Sequence, residues 1–312
     1  TVNQGSTTNV FTGQIAATNV VTLNGSSNLN LLGDNTLAGL VFNNLGGTGN
    51  PNVRTFSNNH PTRIGAAGVL TLGAGGIVAT SQNVGTVATV EGRLNFGAGL
   101  GLITVDPISV GGMTDVSPLR PGLALQAIVG STGGIRKDGA GVLQLGAQSQ
   151  FTSGFNVTAG GLRNGVFNAG SRFSALTIAS GARYDLNNFT TTWGSLAGGG
   201  DIFNSFLVGV RPQVAPTLSV GWNALSTDST IFSGRLQRFN DAVMFNFTKV
   251  GAGTLAMTSA QDAAGSFGMI SVQGGTLSYV GAGRAFVATD TQASGLTVST
   301  NGTLFLDNVS GN

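Results

Sequence analysis

A nine-residue phrase occurs twice in this chain, as KDGAGVLQL at 137–145 and as KVGAGTLAM at 249–257. Both copies fit the pattern K-x-G-A-G-x-L-x-(L/M). A second match follows in the same order, because VTAGGL at 157–162 is similar to VQGGTL at 272–277. Repeats that keep their order while their spacing drifts are typical of a solenoid, whose rungs contact only their neighbours and tolerate loops of different length.

Short apolar-x-apolar triplets recur along the whole chain and predict β-strands, because side chains alternate between the two faces of a strand. Gly, Asn, Ser and Thr flank the triplets, which favours turns with positive φ. The triplets are Leu29-Asn30-Leu31, Leu70-Thr71-Leu72, Leu94-Asn95-Phe96, Leu143-Gln144-Leu145, Leu255-Ala256-Met257 and Leu304-Phe305-Leu306.

The spacing between successive strands is near twenty residues, as in the rungs of a β-helix. We therefore predict an all-β fold, a right-handed parallel β-helix (β-solenoid) that spans residues 1–312 as one rod. Leu, Val, Ile and Phe are expected to point inward, and Thr, Ser, Asn and Gln to form ladders on the surface. The stretches at 50–61, 105–121 and 208–216 contain prolines and are predicted to be protruding loops, because proline cannot donate to an interior ladder.

The composition argues against several classes of protein. The chain has 312 residues with 51 Gly, no Cys and 8% charged residues, and its 14 Lys plus Arg barely exceed its 12 Asp plus Glu. Without a basic patch it is not expected to bind nucleic acid. The lack of cysteine removes thiolate catalysis and fits an exported bacterial protein. No apolar run approaches the ~18 residues of a membrane helix, so no transmembrane segment is predicted.

Few residues could carry chemistry. His60, the only histidine, lies in a proline-flanked loop near Ser57, but no orienting carboxylate or oxyanion site completes a triad. Lys137 and Lys249 lack the spacing of a phosphate loop, and their glycines are better explained by turns. The phrase GGGD at 198–201 comes close to a calcium-binding repeat but occurs once. We therefore predict no catalytic residue, no metal site and no cofactor.

The main alternative is a carbohydrate-active β-helix enzyme of the polysaccharide lyase or glycosidase type. Asp106 and Asp115 share one loop and are the candidate pair of carboxylates. Glycoside hydrolysis needs two carboxyl groups held rigidly ~5–9.5 Å apart. A groove with two convergent carboxylates would favour the enzyme, whereas scattered carboxylates would favour a structural protein.

The phrase FTKVGAGTL at 247–255 resembles the T-K-x-G-x-G-T-L core of the autotransporter-associated β-strand repeats of bacterial surface proteins, and GIRKDGAGVL at 134–143 is a looser copy. Segments at 37–44, 194–200 and 229–234 are similar to the connecting segments of that family. The resemblance implies an extracellular or cell-surface protein that is not an enzyme and serves as a stalk, fibre element or adhesin. Its implied partners are surface glycans or proteins.

Neither end of the sequence resembles a solenoid cap. Residues 1–10 contain no run of helix formers, and the triplet at 304–306 lies close to Asn312, where that family would continue toward a membrane barrel. An uncapped solenoid exposes its core and unpaired backbone groups. We therefore expect the rod to continue, either as further repeats of a longer polypeptide or by end-to-end stacking of identical chains.

Overall fold

The computed structural model describes residues 12–31, 33–55, 68–205, 215–222, 227–238, 245–259, 267–280 and 295–307. Within these ranges there are 26 β-strands and no helix. The strands pair in parallel with those of neighbouring rungs; 21 of them belong to one sheet and five to a second sheet. The predicted all-β parallel solenoid with protruding loops is confirmed, while its right-handed sense stays a prediction.

The chain divides into two compact units, which are residues 1–154 with 159–162, and residues 155–158 with 163–312. The single solenoid expected over 1–312 stays a prediction. Strand β12 (Gly161–Asn164) crosses the boundary between the units.

Unit 1 consists of two parallel ladders, β1–β3–β5–β7–β9 and β2–β4–β6–β8–β10. The long strand β5 belongs to both ladders, because Val69, Leu70 and Thr71 at its start also pair with β6. The strands are β1 (Val20–Asn24), β2 (Asn28–Asn30), β3 (Asn35–Asn44), β4 (Asn52–Arg54), β5 (Val69–Ser81), β6 (Ala88–Asn95), β7 (Gly101–Val105), β8 (Pro121–Gly130), β9 (Ile135–Asp138) and β10 (Val142–Leu145).

Unit 2 contains fifteen further strands. They are β11 (Phe155–Val157), β13 (Ala175–Ile178), β14 (Arg183–Asp185), β15 (Thr191–Trp193), β16 (Ser195–Gly198), β17 (Asp201–Asn204), β18 (Thr217–Val220), β19 (Thr230–Phe232), β20 (Leu236–Arg238), β21 (Phe245–Lys249), β22 (Thr254–Met257), β23 (Phe267–Val272), β24 (Gly275–Val280), β25 (Gly295–Val298) and β26 (Gly302–Asp307).

These strands form three ladders: β11–β13–β16–β19–β22–β24–β26, β14–β17–β20, and β15–β18–β21–β23–β25. The rung length varies, since Leu176 pairs with Leu196, 20 residues later, and Leu277 pairs with Leu304, 27 residues later. Loop insertions between rungs explain this drift.

The apolar triplets form the core as predicted. Leu143 and Leu255 are buried, and both apolar residues are buried in five of the six triplets. The sixth differs, because Leu304 is half-buried and Leu306 is 54% exposed. Strand β26 pairs with β24 on one side, and among the described strands none lies on its other side.

The predicted polar ladder is present on the surface of unit 1. Asn43 Nδ2 donates to Asn24 Oδ1 at 2.9 Å, and Thr80 Oγ1 donates to Asn43 Oδ1 at 3.3 Å. A second row of polar side chains lies inside the protein, where Asn44 Nδ2 donates to Ser81 Oγ at 3.1 Å. Stacked rungs thus let like residues satisfy each other's donors and acceptors.

Of the stretch predicted as a loop at 105–121, Val105 ends β7 and Pro121 begins β8. Residues 106–120 lie outside the strands, between β7 and β8. At 50–61 the prediction is wrong for residues 52–54, which form β4: Val53 is buried in the core, and Pro51, just before the strand, needs no ladder hydrogen bond there. Residues 56–61 and 208–214 lie outside the described residues.

Candidate functional site

Both lysines of the repeated phrase are buried, although lysine is rarely found inside a protein. Lys137 on β9 is 0% exposed and Lys249 on β21 is 2% exposed. Lys137 Nζ donates to the carbonyl oxygens of Gly139 at 2.5 Å, Gly141 at 2.6 Å and Ala159 at 2.8 Å. The first two acceptors belong to the turn after the lysine, and the third lies 22 residues ahead.

Lys249 repeats this arrangement in unit 2. Its Nζ donates to the carbonyl oxygens of Val250 at 2.6 Å, Gly251 at 2.9 Å and Gly274 at 3.3 Å, and Gly274 lies 25 residues ahead. Each ammonium group therefore ties a turn to the following rung. Burial lowers the pKa of Lys249 to about 8.

The glycines of the repeated phrase allow the backbone to present these carbonyls. Gly139 and Gly251 have φ of 79° and 72°, values that residues with a Cβ atom rarely adopt. Gly141 lies so close to the preceding rung that an added Cβ would be 2.2 Å from the Asp106 carbonyl oxygen. The prediction that these glycines form turns is confirmed. Burial of the lysines was not predicted, and the signal that could have found it was the retention of lysine next to a glycine turn in both copies.

A second buried polar cluster, which sequence reasoning missed, lies in unit 2. Trp193 Nε1 donates to Tyr184 Oη at 3.1 Å, and Tyr184 Oη donates to Asn164 Oδ1 at 2.9 Å. All three side chains are buried. Burial raises the pKa of Tyr184 to about 12, so the phenol stays protonated and serves as a hydrogen-bond donor.

An ion pair lies in the same part of unit 2. Arg163 Nε is 3.4 Å from Asp185 Oδ2. Asp185 also accepts hydrogen bonds from Ser205 N at 2.8 Å, Ser205 Oγ at 2.5 Å and Asn187 N at 2.8 Å. Burial raises the pKa of Asp185, against the opposing effect of these partners, and burial lowers the pKa of Arg163. This carboxylate is enclosed by its own chain, so it supports the fold rather than offering an acid or base to a substrate.

The candidate carboxylates of the enzyme alternative lie in the loop at 106–120. Asp106 is half-buried at the base of the loop, where its backbone N–H donates to the Ala79 carbonyl at 2.9 Å. Asp115 is exposed and has a φ of 56°. Neither carboxylate accepts a hydrogen bond from the side chains or backbone that the structure describes. Catalytic carboxylates need such support to hold their separation, so this arrangement does not favour a glycosidase.

The other sequence candidates also have structural roles or lie outside the described ranges. Asp201 of the GGGD phrase forms two contacts with Arg235, at 3.2 and 3.1 Å. Gly198, the last residue of β16, has a φ of 104°. His60 and Ser57 lie outside the described residues. In the described part of the chain, no group of three or more His, Asp or Glu side chains is placed to hold a metal ion.

No helix in the described ranges is long and apolar enough to cross a membrane. The strand pairing and the lysine-tied turns define a parallel β-solenoid. The chain is 29% identical over 201 residues to the adhesin BmaC autotransporter of Brucella suis biovar 1 (strain 1330). That match covers 64% of this chain and 5% of the relative, so the chain spans a small part of the relative's length.

No family model matches the chain, and no solved structure gives a significant match. The similarity to an autotransporter adhesin supports the predicted resemblance to bacterial surface proteins only at the level of autotransporter adhesins. Membership of the specific repeat family stays a prediction.

Proposed function

We propose that this chain is a non-enzymatic element of an exported bacterial surface adhesin. Its solenoid rungs serve as a stalk, and its surface ladders and loops contact glycans or proteins of another cell. The observation that carries the proposal is the similarity to an autotransporter adhesin over 64% of the chain.

The physical character of the rungs supports this role. A solenoid builds length from neighbour contacts alone, and its outward side chains are free to vary for recognition. The chain achieves this with 8% charged residues and no cysteine, so its rungs are held by core packing and hydrogen bonds instead of disulfides. The buried lysines add ties between successive rungs.

Open apolar rows in unit 2 support the further proposal that another rung follows. Leu296 and Val298 on β25 continue the buried row of Ile270 and Val272, and Leu306 on β26 continues the row of Tyr279. These three outer residues are exposed, whereas the residues they continue are buried. We propose that a further rung, from a longer polypeptide or from a second copy of the chain, covers them.

Attachment of coated beads tests the adhesive role. Beads carrying the purified chain are expected to attach to cultured epithelial cells more than beads carrying an unrelated protein of equal size. The double variant Asp106→Asn/Asp115→Asn is expected to attach as well as the parent. Attachment no better than that of the unrelated protein would contradict the proposal. So would polysaccharide cleavage by the parent that is lost in the double variant.

A further inference from the structure

Unusual backbone conformations gather around one exposed aromatic ring. Among the described residues, the non-glycine residues with positive φ are Asp115, Asn168, Asn187 and Asn188. The three asparagines lie in unit 2, beside Phe167 and Phe189 in the sequence. Left-handed backbone is uncommon for non-glycine residues, and a local concentration of it calls for a reason.

A ring contact joins Phe167 to Phe189, and a backbone hydrogen bond ties each of Asn168 and Asn188 to a neighbouring segment. The rings of Phe167 and Phe189 are edge to face, with centroids 5.3 Å apart. The backbone N–H of Asn168 donates to the Thr190 carbonyl at 2.8 Å, which joins the β12–β13 loop to the turn before β15. The backbone N–H of Asn188 donates to Asn204 Oδ1 at 2.6 Å. The surface formed by Phe167, Asn168 and Asn188, called here the Phe167 platform, is therefore fixed before any ligand arrives.

The side chains of the platform face solvent with unused hydrogen-bonding capacity. Phe167 is 52% exposed, Asn168 is exposed and Asn188 is half-buried. The carboxamides of Asn168 and Asn188 make no hydrogen bond with any residue that the structure describes. Asn187 differs, because its amide donates to the Asn164 carbonyl at 2.7 Å and accepts from Arg163. Only the first two amides are thus available to a ligand.

This combination of groups matches the chemistry of a sugar. A pyranose ring has a face of C–H groups that packs on an aromatic ring, and hydroxyl groups that both donate and accept. A carboxamide also donates and accepts, so it can bind a pair of neighbouring hydroxyls. Of the nearby charges, Asp185 is buried, Arg163 is half-buried, and the two are paired with each other. The guanidinium of Arg172 lies 4.9 Å from the centroid of the Phe173 ring. The platform itself is uncharged, which favours a neutral ligand.

We infer that the Phe167 platform binds a neutral pyranose sugar of a surface glycan. The ring of Phe167 packs against the C–H face of the sugar, and Asn168 and Asn188 bind its hydroxyls. This inference rests on the proposed adhesive function and names the class of ligand for it. A turn-forming role accounts for the backbone of the asparagines but not for the two carboxamides that lie beside a half-exposed ring without a hydrogen bond to the described residues.

The test measures binding of free lactose, maltose, cellobiose and diacetylchitobiose to the purified chain, by saturation-transfer NMR and titration at millimolar sugar. At least one disaccharide is expected to bind. Phe167→Ala is expected to weaken that binding about tenfold or more. The matched control is Trp222→Ala, which removes another exposed aromatic ring of the same unit and should leave binding unchanged.

Asn168→Gly separates recognition from turn formation. Glycine accepts the φ of 53° at this position, so the variant should be as stable as the parent or more stable. Loss of the amide should nevertheless weaken sugar binding several-fold. The inference is overturned if none of the four sugars binds, if Asn168→Gly binds as the parent does, or if Phe167→Ala and Trp222→Ala have equal effects. Bead attachment that persists without sugar binding would overturn this inference and leave the adhesive function standing.

Discussion

At the scale of single residues, the unusual feature of this protein is an ammonium group enclosed by backbone carbonyls. Lys249 reaches three carbonyl oxygens, and among the described residues no acidic side chain pairs with it. A buried charge is stable only if its hydrogen bonds replace those lost to water. The turn carbonyls provide them, which explains why the lysine accompanies the glycine turn in both copies of the phrase.

Replacing Lys249 with Met should therefore leave the turn carbonyls without a donor. We expect the free energy of unfolding at neutral pH to fall by about 1–3 kcal/mol. Arg136→Met is the control, because that guanidinium lies on β9 beside the other buried lysine but is 42% exposed, so its loss should matter less. Chemical denaturation of both variants measures the difference. Equal stability of Lys249→Met and the parent would contradict the assigned role.

The lowered pKa of Lys249 also predicts a pH dependence. The folded protein releases this proton near pH 8, whereas the unfolded chain releases it near 10.5. Between these values the unfolded state binds more protons, so the contribution of Lys249 to the unfolding free energy rises with pH. We expect the stability difference between the parent and Lys249→Met to widen from pH 8 to 10.5. Parallel stability profiles over that window would show that the pKa is not lowered.

At the scale of elements, the strands are held by inward rows that pass from rung to rung. Leu143 on β10 pairs with Leu123 on β8, and Leu255 on β22 pairs with Leu277 on β24; all four are buried. In such a stack each aliphatic side chain packs against the rungs before and after it. Removing one therefore leaves a cavity that its neighbours cannot close, because their positions are set by the ladders.

Leu143→Ala and Leu255→Ala should each destabilise the protein by about 2–5 kcal/mol. Leu45→Ala is the matched control, because Leu45 is exposed just after β3 and its truncation should have little effect. Thermal unfolding compares the three variants. If the two core variants melt at the temperature of the parent, the inward assignment of these rows is wrong.

At the scale of the whole molecule, the open rows of β25 and β26 bear on assembly. An edge strand with exposed aliphatic side chains and free backbone groups favours pairing with another strand. Leu296, Val298 and Leu306 supply such an apolar surface in unit 2. A further rung would bury these side chains and pair the backbone groups of both strands.

The isolated chain is therefore expected to self-associate as its concentration rises. Leu306→Lys should reduce this association, because a charge in the row would have to be buried. Ile231→Lys is the control, since Ile231 is also exposed in unit 2 but lies away from these two strands. Sedimentation velocity and electron imaging over a concentration series measure the effect. A parent chain that stays monomeric throughout would count against assembly through this edge.

The sequence alone determined the class of fold and much of its core. Period-two triplets are local signals, so they placed Leu143 and Leu255 inside. The prolines of 105–121 predicted a loop there, and residues 106–120 lie outside the strands. Of the functional features, the repeated phrase led to the predicted resemblance to bacterial surface proteins. The sequence also named Asp106 and Asp115 as the candidate pair of the enzyme alternative, and neither carboxylate accepts a hydrogen bond from the described residues.

Only the tertiary structure decided the features that depend on contacts between rungs. Each of these features depends on a contact between residues twenty or more positions apart. They are the burial of Lys137 and Lys249, the strand at 52–54 and the Phe167 platform. A local pattern contains no information on which turn lies above which, because loop insertions change the spacing from rung to rung. For that reason the sequence could predict strands and an inward face. The hydrogen-bond partner of each polar side chain depends on which rungs lie next to each other, and only the tertiary structure shows this.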